Sequence, residues 1–411
     1  MLVGADSQRF LLAESVEKAG RKITLLCEPE GRNTAAAACA AAIEVCRRMP
    51  GAAVLLLPAD HHIEDTEAFH SAVQMGLSAV DEGRIVVFGV HPDRPSTGYG
   101  YIEPGEGRGD WRDVSSFEEK PDLPTAEGYL RRGFLWNAGI FLFRPEVLLE
   151  EFAAFAPQVL ESARRAVDGA REEGPCSRMD PDSWASCPSL PLDVAIMEKT
   201  RRAAVVPVSM GWADLGCFEA LWERAAGEDG NALVGDAIQI GSRGCYVHGE
   251  GVLVGVKDVS DLVVVGTPDA MLVTTRAASD GLKPLVAELG DRLEVRAHPI
   301  SARPWGEFRV VDRGDGFQVK RIVVRPGERL SLQRHAHRDE HWVVVSGAGA
   351  VVVGEVETTL QVGQHVDIPC GIAHRLQNDT DAPLILIEVQ LGDYLGEDDI
   401  ERLEDAYGRA D

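Results

Sequence analysis

From Met1 to about Glu223, short apolar runs alternate with Ala-rich or amphipathic stretches, a pattern that predicts strands alternating with helices in an α/β layer architecture. The Ala-dense stretch Thr34–Arg48 predicts a helix, and the continuous apolar run Ala52–Leu57, ended by Pro58, predicts a strand buried on both faces. Asp60 follows the carboxyl end of that strand. Glu67–Asp81 predicts a second helix and Arg84–Val90 the next strand, completing a strand-helix-strand unit with a right-handed crossover. Between Glu228 and Glu288 the pattern changes to short Val/Ile runs broken by Gly, Asp and Ser, which predicts a small, turn-rich β layer without a fixed repeat and a short helix near Lys283–Glu288. From Arg303 to Gln390, alternating strands separated by Gly turns predict a separate antiparallel β domain, a barrel or jelly roll. The divisions are 1–226 (α/β), 227–295 (β-rich connection) and 296–411 (all-β).

A chain of 411 residues agrees with two or three domains. Asp and Glu (66) outnumber Lys and Arg (41), for a net charge of −25. Such a charge repels nucleic-acid backbones and anionic lipid unless basic residues cluster, and only short pairs such as Arg47-Arg48, Arg131-Arg132 and Arg201-Arg202 occur, so no nucleic-acid partner is expected. Eight cysteines without a C-x-x-C pair read as reduced thiols rather than a disulfide scaffold or zinc knuckle. No basic start followed by an apolar signal core is present, and no apolar stretch approaches the roughly 18 residues of a membrane helix. A cytoplasmic protein without a membrane partner is expected; homo-oligomerisation is left open.

The strongest chemical signal lies in Pro326–Trp342 and Pro369–His374. Gly327, five residues, Gln333-x-His335, four residues, Glu340, six residues, Gly347 resembles the first motif of the cupin superfamily, with Gln333 in place of its first His. Gly363, five residues, Pro369-x-Gly371, two residues, His374, three residues, Asn378 matches its second motif at every position. Strand alternation puts Gln333 and His335 on one face, a turn brings Glu340 back, and His374 comes from a neighbouring hairpin, forming a mixed N/O site for a divalent transition metal such as Zn²⁺ or Co²⁺. His337 is a rival ligand, since it also pairs with His335 in an H-x-H arrangement. Arg338 either grips a phosphate at the edge of the site or makes a surface salt bridge to Asp339 or another neighbour. His341 is a candidate general acid/base, although strand parity next to Glu340 would turn it away from the cavity.

In the first domain, Glu28–Thr34 precedes the Ala-rich helix, where backbone N–H groups and Arg32 could meet an anion, or Asn33 or Thr34 could simply cap the helix. Asp60, just beyond a strand's carboxyl end, suits either a metal–phosphate role or a cap of the next helix. Gly31–Thr34, Thr97–Ile102, Phe117–Pro121, Trp136–Gly139, Leu192–Lys199 and Gly211–Gly216, in this order, resemble the sugar-phosphate nucleotidyltransferases of the mannose-1-phosphate guanylyltransferase family over roughly residues 1 to 290. Joined to the cupin module, the pattern resembles the bifunctional mannose-1-phosphate guanylyltransferase/mannose-6-phosphate isomerase family, or type II phosphomannose isomerases.

The resemblance implies a Rossmann-like nucleotidyltransferase domain with Arg32, Asn33 and Thr34 near the guanine nucleotide, and Asp60 with Asp214 holding Mg²⁺ against the phosphates. It also implies that Gly98, Tyr99 and Gly100 approach mannose, Glu119 and Asn137 bind its hydroxyls, and Lys120 neutralises the sugar phosphate. The implied substrates are GTP and mannose-1-phosphate in one half, and mannose-6-phosphate with fructose-6-phosphate in the other. Family members begin with a strand and a G-G-x-G-x-R-L loop followed by a Pro-Lys pair, and these 411 residues contain neither. Met1-Leu2-Val3 reads as starting inside a later strand, so an apolar edge on a central parallel sheet and weaker stabilisation of phosphate charge are expected. The expected activities are guanylyl transfer with isomerisation. The alternatives are isomerisation beside a defunct nucleotidyl domain, and non-catalytic sugar-phosphate binding.

Overall fold

The computed structural model describes residues 1–407 apart from 21–22, 175, 280, 291 and 297–298. Its first region contains strands β1 (Leu2–Ala5), β2 (Leu25–Glu28), β3 (Val54–Leu56), β4 (His61–Ile63), β5 (Ile85–Val90), β6 (Tyr101–Gly107), β7 (Arg112–Glu118), β8 (Leu135–Phe143), β9 (Arg171–Glu173), β10 (Cys176–Arg178), β11 (Ala203–Val208) and β12 (Trp212–Asp214). Interleaved are helices α1 (Arg9–Lys18), α2 (Asn33–Arg48), α3 (Thr66–Asp81), α4 (Leu123–Arg132), α5 (Pro145–Phe155) and α6 (Pro157–Asp168).

The six-stranded sheet runs β3-β8-β5-β11-β7-β6. Along β5, Ile85 and Val87 face a core built with the alanines of α2 and with Phe152 and Val159, while Val86 and Phe88 face another containing Phe69, Ala72 and Val80 of α3. Helices on both faces explain why β5 is apolar at successive positions. The expected parallel sheet is corrected to a mixed one: β8 is antiparallel to both β3 and β5 and lies between them. The expectation that Ala52–Leu57 forms a doubly buried strand is corrected too. β3 is an edge strand whose three residues are only half-buried, and Leu57 beyond it is 49% exposed. A separate small sheet, β1-β2-β10-β9, pairs the start of the chain in parallel with β2.

The middle region has strands β13 (Ala232–Ile240), β14 (Tyr246–Lys257), β15 (Leu262–Gly266) and β16 (Met271–Thr275). The first three are parallel, and Gly235, Gly249 and Gly266 stand in register across them. A Cβ on Gly235, whose φ is +66°, would lie 2.1 Å from the Gly249 carbonyl oxygen, so this ladder requires glycine. Unequal coil lengths hide the repeat from the sequence.

The last region has β17 (Ile300–Arg303), β18 (Gly306–Gly314), β19 (Phe317–Val324), β20 (Leu332–His335), β21 (Arg338–Ser346), β22 (Ala348–Val353), β23 (Val356–Gln361), β24 (His365–Ile368), β25 (His374–Gln377), β26 (Leu384–Gly392) and β27 (Ile400–Glu404). They form two sheets, β17-β18-β19-β26-β21-β24 and β23-β22-β25-β20-β27, around a core that includes Trp342, Val344, Leu376 and Leu386. In this cupin jelly roll, Asn378 is fully buried and its amide donates to Val324 O, Arg325 O and Ala382 O, tying the end of β19 to the turn between β25 and β26. No helix among the described residues is long and apolar enough to cross a membrane.

Candidate active sites

In the jelly roll, β21 alternates inward Arg338, Glu340 and Trp342 with outward Asp339 and His341. Cross-strand register extends Glu340 through Gln390 to Gln318, and Trp342 through Glu388 to Lys320. β20 and β25 bring His335 and His374 to the same place; ligand atoms of His335, Glu340 and His374 lie within 4.8 Å of one another, and all three residues are buried. His335 Nε2 is 3.0 Å and His374 Nε2 3.5 Å from the Glu340 carboxylate. His374 Nδ1 faces Ile372 O at 2.9 Å, which assigns the proton to Nδ1 and leaves Nε2 as a lone-pair donor without a hydrogen-bond partner. Two imidazoles, one carboxylate and an orphaned buried nitrogen fit a divalent transition metal.

Burial opposes ionisation of Glu340, but His335, His374 and Arg338 overcome it and hold the carboxyl below its usual range. Burial also lowers the His374 pKa, keeping the ring neutral as a metal ligand must be. Trp342 Nε1 donates to both Glu340 (3.1 Å) and Glu388 (3.0 Å), and the Gln390 amide bridges the same two carboxylates. Burial, reinforced by Glu340, pushes Glu388 up to about 8.

Gln333 lines the same cavity, where its Oε1 accepts from Ser331 Oγ at 2.9 Å. His337, the rival ligand, is exposed beside Asp393 and Tyr394. Arg338 is buried rather than on the surface, donating to Glu340 (3.0 Å) and Gly396 O (2.9 Å), while Asp339 instead accepts from Cys370 N. The candidacy of His341 as the acid/base is corrected: strand parity turns it outward, where Nδ1 lies 2.8 Å from Asp367 Oδ1.

In the first region, antiparallel pairing of β4 with β12 sets Asp214 opposite His61. Asp60, His61 and Asp214 offer ligand atoms within 4.8 Å of one another. Gly216 N donates to Asp214 Oδ1, and a Cβ on Gly216 would come within 2.9 Å of that oxygen and 3.3 Å of Asp60 Oδ2. His61 Nδ1 accepts from Trp212 Nε1, leaving the two carboxylates as the hard oxygen donors that suit Mg²⁺. Burial lowers the His61 pKa against the pull of Asp214 and Asp60. Ring contacts run from His61 through Trp212 and Tyr99 to Trp136, next to Asn137.

Gly100, Glu119 and Asn137 come together: a Cβ on Gly100 would lie 2.6 Å from Glu119 Oε2, and Asn137 N donates to Gly100 O. Lys120 is exposed, adopts φ +50° and pairs with Glu119 at 2.8 Å. Such a backbone in a non-glycine residue costs energy and marks a site under constraint. Gly98 N donates to Ser96 Oγ. Asp193 was missed as a site residue although it stands in the quoted Leu192–Lys199 segment; it accepts from Asn137 Nδ2 at 2.9 Å, and burial pushes it up to about 6. Arg32 precedes α2, and Asn33 and Thr34 are its first two residues, at a helix start fastened to the segment before Asp193. Thr34 Oγ1 accepts from Leu192 N, Asn33 Oδ1 from Thr34 N, and Arg32 pairs with Glu30.

The two sites and their folds define a two-part sugar-phosphate enzyme, a nucleotidyl transferase followed by a cupin isomerase module. Residues 1–229 match the nucleotidyl transferase family, 235–289 a mannose-phosphate isomerase/GMP-like β-helix domain and 290–405 the mannose-6-phosphate isomerase C-terminal domain. The chain is 44% identical to the xanthan biosynthesis protein XanB of Xanthomonas campestris, covering 100% of this chain and 88% of that protein. It is 41% identical to mannose-1-phosphate guanylyltransferase of Escherichia coli, over 98% of this chain and 87% of that one. A structure of mannose-1-phosphate geranyltransferase from Thermus thermophilus superposes with a TM-score of 0.59 at 31% identity, over 70% of this chain and 83% of the other. The chain belongs to the mannose-1-phosphate guanylyltransferase/mannose-6-phosphate isomerase family.

Proposed function

We propose that this enzyme interconverts mannose-6-phosphate and fructose-6-phosphate in the jelly roll and transfers a guanylyl group from GTP to mannose-1-phosphate in the α/β region, forming GDP-mannose and pyrophosphate. The observation that carries the reading is the presence, in one chain, of two preassembled ligand groups, His335/Glu340/His374 and Asp60/Asp214, each within a matched domain. In the first site, Arg32, Asn33 and Thr34 face the nucleotide, Glu119 and Asn137 orient the sugar hydroxyls, and Lys120 offsets phosphate charge. Mg²⁺ held by Asp60 and Asp214 would neutralise charge on the transferred phosphate. In the jelly roll, His335, Glu340 and His374, with Gln333 beside them, would hold a Zn²⁺- or Co²⁺-like ion that polarises substrate oxygens. Arg338 keeps Glu340 ionised and oriented.

A second reading is isomerisation alone. The test is a pair of assays on the same preparation: pyrophosphate release from GTP, mannose-1-phosphate and Mg²⁺, and fructose-6-phosphate formation from mannose-6-phosphate with each candidate metal. Both products support the bifunctional reading. Isomerisation without pyrophosphate release supports the second, and sugar-phosphate binding with neither product overturns both.

A further inference from the structure

We infer that Arg303 and Lys320 form the phosphate-binding end of the jelly-roll cavity and that the carboxylate of Glu397 occupies it as an internal stand-in, to be displaced by the substrate's phosphate. The inference rests on the isomerase reading for the identity of the sugar phosphate, but the anion subsite stands on its own geometry. Lys320 is buried with a side chain only 5% exposed, and its ammonium lies 4.6 Å from the centre of the Phe308 ring. A buried ammonium requires a counter-anion. Glu397 supplies one, with Oε1 2.5 Å from Lys320 Nζ and Oε2 3.4 Å from Arg303 Nη2. A point charge and a guanidinium fork converging on one pair of oxygens also suit a phosphate.

Glu397 does not belong to the barrel wall. It sits in a single helical turn, Glu397–Asp399, leading into β27. Gly396 and Asp399 secure that turn through Arg338 and through the N–H groups of Ala336 and His337. Beneath it, the cavity lined by Lys320, Gln333, Glu340 and Glu388 has only about 40 Å³ of free space. That is room for a few waters, whereas small-molecule sites span roughly 300 Å³ or more. A sugar phosphate therefore enters only if the turn carrying Glu397 moves. Departure of Glu397 opens the cavity and releases the Lys320 ammonium and the Arg303 Nη2 edge from its carboxylate, while Arg303 Nη1 stays on Ala302 O, and an incoming phosphate takes the place of that carboxylate with the metal-ligand group further along the same cavity. Glu397 is thus both closure and competitor.

The test uses the metal-loaded full chain and measures inorganic phosphate binding by calorimetry, which needs no turnover. Glu397→Gln should bind inorganic phosphate roughly tenfold more tightly than the unaltered protein, the equivalent of one charge-assisted hydrogen bond. Adding Lys320→Met to Glu397→Gln should abolish the gain, which assigns it to this cavity rather than to the nucleotide domain. Arg303→Gln alone should weaken phosphate binding and raise KM for mannose-6-phosphate with kcat retained; it decides the matter if Glu397→Gln does not fold. Unchanged or weaker binding in folded Glu397→Gln, a gain that survives in the double variant, or unaltered binding in Arg303→Gln would overturn the inference. Phosphate binding as expected without isomerase turnover would overturn the isomerase reading and leave the anion subsite standing.

Discussion

Asp193 shows how one half-buried carboxyl couples the Glu119–Asn137 end of the α/β site to the stability of the fold. Its pKa moves from 3.8 to about 6, first through burial and then through Glu119. Between those values the folded state holds the proton that the unfolded chain has lost, so folding stability falls as pH rises from about 4 to 6. Asp193→Asn removes this titration. Relative to the unaltered protein, the variant should gain on the order of 2 kcal/mol between pH 4 and pH 7, read from thermal melts across that range. In the jelly roll, Trp342→Phe deletes the N–H shared by Glu340 and Glu388, and metal affinity should fall about 10- to 100-fold in a competitive chelator titration. His335, Glu340 and His374 were readable because motif spacing and strand parity both select them. Asp193 was not, because its burial and its bond to Asn137 arise between residues 56 positions apart.

Helix α2 and strand β5 follow from composition and run length alone, since Ala-rich and doubly buried apolar segments state their environment locally. Neither the edge position of β3 nor the insertion of β8 between β3 and β5 is local; both depend on pairing partners far along the chain. The parallel glycine ladder of the middle region is not local either, because register aligns Gly235, Gly249 and Gly266 across coils of unequal length. Gly235→Ala should therefore cost about 2–4 kcal/mol in denaturant unfolding of that region, through clash and positive φ together. At the turn after β12, Gly216→Ala would press a methyl group against Asp214 and Asp60. Pyrophosphate release should drop about 100-fold, as expected when catalytic groups are displaced by an ångström, with isomerase turnover retained.

Across the whole molecule, the two ligand groups draw on separate cores: the helices and mixed sheet around Phe88 and Phe152, and the jelly-roll core around Trp342. His374→Ala should eliminate isomerisation while leaving pyrophosphate release within about twofold, and Asp214→Asn should do the reverse, as distant sites without shared partners behave. Loss of both activities in either variant would show that the two halves are coupled. The change from α/β to all-β architecture along the chain was legible because each kind of layer has its own periodicity, whereas closure of the jelly-roll cavity by Glu397 depends on residues brought together only by the fold. An indole N–H also stands at each ligand group, Trp212 bonded to His61 beside Asp60 and Asp214, and Trp342 bonded to Glu340. The molecule thereby carries two optical reporters, so metal loading at either site should alter ultraviolet emission, and Trp212→Phe or Trp342→Phe should silence one signal while the other still records its own site.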